Sequence, residues 1–170
     1  MAKRHTQTCP IAEFLNIFGD SWTLLILREA FYGGTRFSEF QRNTGIAKNL
    51  LSDRLSMLVE EGILKREDVG ERGSRYAYKL TEKGKSLMPV YVAMLQWGNE
   101  HIYGEGKEPV VLVERDSGKP VPKIDLVTDA GAPLKWRNIS ARPGPGANKA
   151  AQIRIAKALE AQNDDALADG

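Results

Sequence analysis

An α+β chain is predicted, with helices first and last and a two-stranded hairpin near the middle, and three observations predict it. Residues 35–45, TRFSEFQRNTG, space Phe37 and Phe40 three apart and end on Gly45, the pattern of a short amphipathic helix and its stop. The next stretch places Leu51, Leu55, Leu58 and Val59 on one helical face and Lys48, Asn49, Ser52 and Ser56 on the other. ILKRED and RYAYKL then alternate with period two on either side of VGERGS, a hairpin with a basic, glycine-containing tip. Short helix, tight turn, two-faced helix and hairpin in that order are the signature of a winged helix-turn-helix, whose second helix enters the major groove of DNA.

Each element has its own warrant. CPIAEFLNIFG opens a helix at Cys9 and Pro10 with Ile11, Phe14, Leu15 and Phe18 on one stripe, and DSWTLLILREAFYGG makes a second apolar helix that two glycines end. Thr35 is the expected N-cap of a helix over Arg36 to Asn43, and Gly62 the stop of the helix after it. Arg72 and Arg75 flank Gly73 at the hairpin tip, where long cations reach phosphate or minor-groove edges. After the hairpin, Thr81 caps a helix striped by Leu87, Tyr91, Met94, Leu95, Gly98 and Ile102, with a bend expected at Pro89. That stripe and the N-terminal helix are apolar enough to meet a symmetry mate, since a monomer would leave Trp97, Tyr91 or Met94 partly wet. Dimerisation would space two reading helices by about 34 Å and demand a two-fold related operator.

Composition narrows the setting. The chain has 170 residues, 42% hydrophobic and 27% charged, with a net charge of +2, so any contact to nucleic acid rests on local patches. No apolar run approaches the ~20 residues of a membrane span, MAKRHTQTCP lacks the apolar core of a secretory signal, and a single cysteine fits a reducing compartment. A cytoplasmic protein is expected, with no membrane partner.

The C-terminal stretch holds a repeat, DSGKPV at 116–121 and DAGAPL at 129–134, each Asp-x-Gly-x-Pro-apolar. Such turns between strands (VVLVER, KIDLVT, KWRNIS) look like the two knuckles of a zinc ribbon, but Ser117 and Ala130 stand where cysteines would, and Asp116, Asp125 and Asp129 are hard donors that do not make a structural zinc site. A metal-free module is expected, packed through Val111, Val113, Val121, Ile124, Leu126, Leu134 and Trp136. PGPGAN precedes a last helix over 148–162 and a polar tail. The expected divisions are 1–103, a winged helix DNA-binding and dimerisation domain; 104–147, the small β module; and 148–170, a helix and tail.

Residues 9–103 resemble the HxlR family of bacterial transcriptional regulators, MarR-like winged helix proteins that act as homodimers. The matching pieces are CPI, FGDSWTLLIL, RFSEFQRNTGIAKNLLSDRLSMLVEEGILKRE and YKLTEKGKSLMPVYVAMLQWG, in the family's order; Asp20 and Ser21 replace a single Lys before Trp22. The resemblance implies that Lys48, Asn49 and Ser52 face bases and near phosphates. It also implies that Arg54 lies on backbone phosphate, with a surface pair near Glu60 or Asp53 as its alternative. Arg36 and Ser38 would hold a phosphate at a helix start or simply cap it. Cys9, at a helix N-terminus and near Lys3, Arg4 and His5 in sequence, is the candidate sensor of oxidants or electrophiles, against a plain packing role.

An enzyme is not expected. His5 and His101 are the only histidines, neither stands in a metal-binding spacing, and neither a phosphate loop nor a Gly-x-Ser-x-Gly elbow occurs. The function expected is that of a sequence-specific DNA-binding regulator, a repressor, without cofactor, with double-stranded DNA, itself and a small-molecule effector as partners. That effector would enter an apolar pocket between subunits lined by Trp22, Phe31 or Trp97. The alternative is a winged helix that binds protein, which an apolar reading face would favour.

Overall fold

The computed structural model describes residues 4–70 and 76–168, with side chains as far as Gln162. Nine principal elements among the described residues run α1 (Pro10–Phe18), α2 (Thr23–Phe31), α3 (Phe37–Thr44), α4 (Lys48–Glu60), β1 (Leu64–Asp68), β2 (Tyr76–Leu80), α5 (Glu82–Lys85), α6 (Met88–Gly98) and α7 (Lys149–Ala168). The chain forms two compact units: Asp20–Ile124, and Met1–Gly19 with Asp125–Gly170.

The first of these is an α+β winged helix-turn-helix. Its core is Ile26 of α2, Phe40 of α3, Ile46 of the turn, Leu51, Leu55 and Leu58 of α4, and Ile63 and Leu64 at the root of the hairpin, all at most 2% exposed. The leucines recur at four and three residues, so α4 gives one whole face to the core, each worth roughly 1.5–3 kcal/mol of burial. α3 stops at Gly45, whose amide donates to Gln41 O, while the Thr44 hydroxyl turns back to Phe40 O at 2.6 Å. At the end of α4 the Ile63 and Gly62 amides reach Leu58 O and Val59 O, closing the helix just before β1.

β1 and β2 pair antiparallel from Leu64 opposite Leu80 to Asp68 opposite Tyr76. The segment before α3 adds to this hairpin, with Arg36 bridging Ala77 and the Tyr78 amide donating to Thr35 O at 2.8 Å. Tyr78 meets Phe40 edge to face, and Arg66 lies over the Tyr76 ring, so the aromatic positions of RYAYKL are used on one side of the sheet. At the base, Thr81 Oγ1 accepts the Gly84 amide and donates to Gly62 O. A Cβ on Gly84 would run into the Ile63 carbonyl, so helix and hairpin meet backbone to backbone there.

Several local expectations are corrected. α3 starts at Phe37, and Glu39, not Thr35, supplies the cap: its Oε2 accepts the amides of Thr35 and Arg36, both at 2.8 Å. Pro89 does not bend one long helix but stands in the first turn of a new one, α5 having ended at Lys85. After Gly98 the helix runs on as a π-helical turn, Asn99–Tyr103. Tyr91 is buried, its hydroxyl donating to Tyr32 at 2.8 Å, while Met94 and Trp97 are exposed.

The repeated turns fold alike, yet without the strands expected around them. Each makes a single bridge, Val113 with Pro120 and Val127 with Pro133, and Gly118 and Gly131 sit at φ +65° and +78°, a conformation that glycine adopts without strain. KWRNIS contains a 3-10 turn, Trp136–Asn138. The residues expected to pack the module do not form a core within the chain: Val111, Val113, Ile124, Leu126 and Trp136 are exposed. In the second unit Asn148 caps α7 through the Ala151 amide, and α7 continues to Ala168, past the predicted end at 162. His5 is tied to Asn16 of α1 by paired hydrogen bonds of 2.7 and 3.0 Å.

Candidate nucleic-acid interface

The exposed face of α4 begins at its first residue. Lys48, Asn49, Ser52 and Ser56 are all exposed, while Leu51, Leu55 and Leu58 are fully buried. Ala47 offers no side-chain acceptor to the helix N-terminus, leaving its first amides to solvent or to an incoming phosphate. The face is polar and not apolar, so it presents donors and acceptors rather than a protein-binding stripe.

Arg36 and Ser38 stand at the start of α3, both exposed. The Glu39 carboxylate already takes the Thr35 and Arg36 amides, which hold it below the usual carboxylate range against a small opposing effect of burial. An Arg36 contact to phosphate therefore depends on its guanidinium. Arg72 and Arg75 lie outside the described residues.

Arg54 is placed differently from its neighbours. Half-buried, its Nε lies 3.1 Å from Asp20 Oδ2, although the Nε–H makes no hydrogen bond. Asp20 also caps α2, accepting the Trp22 and Thr23 amides at 2.8 and 3.0 Å and the Thr23 hydroxyl. Burial pushes the Asp20 carboxyl up, but those hydrogen bonds, together with Arg54, outweigh it and hold the group below the ordinary range. Neither Glu60 nor the vicinity of Asp53 supplies the partner of Arg54; Asp20 does.

Glu29 is a buried carboxylate that composition gave no reason to single out. It is 6% exposed, accepts from Arg28 Nε at 3.0 Å and from Asn43 Nδ2 at 2.8 Å, and so ties α2 to the last turn of α3.

In the other unit, Cys9 is the N-cap of α1 and half-buried. The amides of Ala12 and Ile11 draw its thiol below the ordinary cysteine value, burial opposes them, and Arg154 adds to the lowering. Among the described residues the cation is thus one from α7, anchored through Thr8 O at 3.4 Å, rather than Arg4 or His5; Lys3 lies outside the described residues. Ala30, Gly34, Thr35, Lys65, Tyr78, Lys79, Leu80 and Lys85 line a cavity of about 350 Å3 within the chain. Among the described residues no group of three or more His, Cys, Asp or Glu could hold a metal ion, and no helix is long and apolar enough to cross a membrane.

A helix-turn-helix with a hairpin wing and a polar reading helix defines a winged helix protein of the regulator type. The chain belongs to the HxlR-like helix-turn-helix family, which it matches over residues 17–105. It is 38% identical over 136 residues to Rv3095 of Mycobacterium tuberculosis, named as an HTH-type transcriptional regulator, covering 80% of this chain and 86% of that one. Among solved structures it is similar to the transcription factor PA1607 (TM-score 0.75, 42% identity, 82% of this chain and 97% of that). It is also similar to the redox regulator HypR in its reduced form (TM-score 0.51, 30% identity, 55% and 96%).

Proposed function

We propose that the chain is a sequence-specific DNA-binding transcriptional regulator, a repressor, that acts as a homodimer on a pseudo-palindromic operator and catalyses no reaction. The observation that carries this is the division of α4: a row of exposed polar side chains, Lys48, Asn49 and Ser52, backed by three leucines with no measurable exposure. A reading helix must be held rigidly while its outer side chains stay available to base edges. In this reading Asn49 and Ser52 contact bases, Lys48 contacts a base edge or the adjacent phosphate, and Arg36, Ser38, Arg72 and Arg75 contact the backbone. Arg54 reaches phosphate only by exchanging Asp20 for it. Residues 1–103 form the DNA-binding and dimerisation domain, 104–147 the small module and 148–170 the terminal helix and tail, and the protein works in the cytoplasm.

Cys9 favours a second layer to this reading, an oxidant or electrophile response. A thiol held low by two helix amides and Arg154 has more thiolate at neutral pH than a free cysteine.

Titration of the protein with DNA from upstream of its own coding sequence, at several salt concentrations, tests the function. Asn49→Ala is expected to cost about 1–3 kcal/mol at one base position, whereas Arg36→Ala weakens all sequences alike and lowers the salt slope by about one. Equal profiles for the two variants would refute the division into base and phosphate contacts. No binding above random DNA at low salt would refute the function.

A further inference from the structure

From Ser86 to Asn99 the chain carries no Asp, Glu, Lys or Arg. Within that stretch α6 leaves Val90, Met94 and Trp97 exposed by 41%, 41% and 60%. The helix flank beside this stripe is occupied. Gln96 accepts the Ile124 amide and donates to Pro122 O, both at 2.9 Å; Asn99 Nδ2 donates to Val110 O at 2.8 Å; Glu100 pairs with Lys123 at 2.6 Å. Three side chains from successive positions of one flank thus pin residues 110–124 as a strap along α6 and its π-helical extension. The strap closes on itself through the Val113–Pro120 bridge and holds Val111, Val113 and Ile124 exposed by 55%, 51% and 41%.

We propose that this strap is the outer half of the chain's self-association surface, with Val111, Val113 and Ile124 packing onto the same second copy that the α6 stripe meets. The inference rests on the homodimer reading above and deepens it. The occupant is a second copy because a two-fold contact brings identical patches together, where unpaired charges would repel, and this helix face has none. The charges on its flank, Glu100 and Lys123, already satisfy each other. A stable dimer covers about 800 Å2 on each partner, more than the three stripe side chains supply; Met88, Ile102 and Tyr103 of the same helical run extend the apolar surface along the helix, and the strap pinned to its flank extends it sideways. It lies wholly beyond residues 17–105, the region shared with the family.

Sedimentation equilibrium of the full chain tests this with wild type, Met94→Lys, Gln96→Ala and the double variant Val111→Lys/Ile124→Lys, with circular dichroism confirming that each keeps its helices. The strap double variant is expected to raise the dimer dissociation constant at least tenfold, and Gln96→Ala to raise it in the same direction by releasing the strap. A dimer that Met94→Lys weakens but the strap variants leave unchanged overturns the strap and leaves the homodimer standing; a wild-type monomer at micromolar concentration overturns both. Amide exchange of wild type gives a check free of substitution. Protection of residues 110–124 should rise with protein concentration, and exchange independent of concentration would also overturn the proposal.

Discussion

Arg54 of α4 and Asp20, which accepts the first amides of α2, form an ion pair of 3.1 Å that joins the second helix of the helix-turn-helix to α2. One carboxylate therefore serves both a helix end and a cation that would otherwise face solvent or phosphate. Removing it should act in opposite directions on stability and on DNA binding. Asp20→Ala is expected to cost about 1 kcal/mol through the lost cap while strengthening binding to random DNA, because Arg54 is released. The charge has its own signature. Its folded carboxyl is held below the unfolded value of about 3.9, so its contribution is present above that pH and fades as pH falls through the folded value. Urea unfolding from about pH 2 to 6 should show a smaller acid loss in Asp20→Asn than in wild type, the remainder coming from other lowered carboxylates such as Glu39.

Glu29 should couple energetically to Asn43. Glu29→Ala removes the acceptor of the exposed Asn43 amide and is expected to cost about 0.5–1.5 kcal/mol in urea unfolding, with Asn43→Ala adding little once Glu29 is gone. Strictly additive effects would mean that the bond does not hold α3 to α2.

For Cys9 the expected outcome is kinetic. Alkylation should titrate with a midpoint below that of a free cysteine, and Arg154→Gln should move the midpoint up without abolishing the lowering, since the Ala12 and Ile11 amides are the larger causes. A midpoint at or above the free value would remove the basis for a reactive thiol.

The C-terminal turns should be indifferent to metal. Ser117 Oγ donates to Glu114 at 2.6 Å and accepts the Lys119 amide at 3.2 Å, and Thr128 Oγ1 accepts the Ala132 amide at 3.1 Å, so hydroxyls complete these turns. Elemental analysis is expected to find no stoichiometric zinc, and a chelator to leave the melting temperature unmoved. One zinc per chain, or a chelator-induced fall, would contradict this.

The legible parts of this fold were those written in local periodicity. The leucine face of α4, the glycine stop of α3 and the Thr81 cap each involve residues within about a turn of one another, and local spacing reports such contacts directly. Asp20 with Arg54, Glu29 with Asn43 and Cys9 with Arg154 were not legible, because each joins residues far apart in sequence through backbone paths that periodicity does not describe. Glu39 displaced Thr35 as the cap because a carboxylate three residues into a helix can reach two amides at once. The valine-rich runs near 110–127 read as strands by composition, yet β propensity mostly measures packing against neighbours, and those runs have few within the chain.

The two-sided build of α4 has an evolutionary consequence. Substitution at exposed positions such as Asn49 and Ser52 usually changes stability by less than about 0.5 kcal/mol, whereas trimming Leu51, Leu55 or Leu58 to alanine costs about 2–5 kcal/mol. Lineages that inherit this scaffold can therefore exchange the outward residues one at a time without passing through an unfolded ancestor. Whatever the outward face contacts can thus change without cost to the fold, while the leucine side cannot.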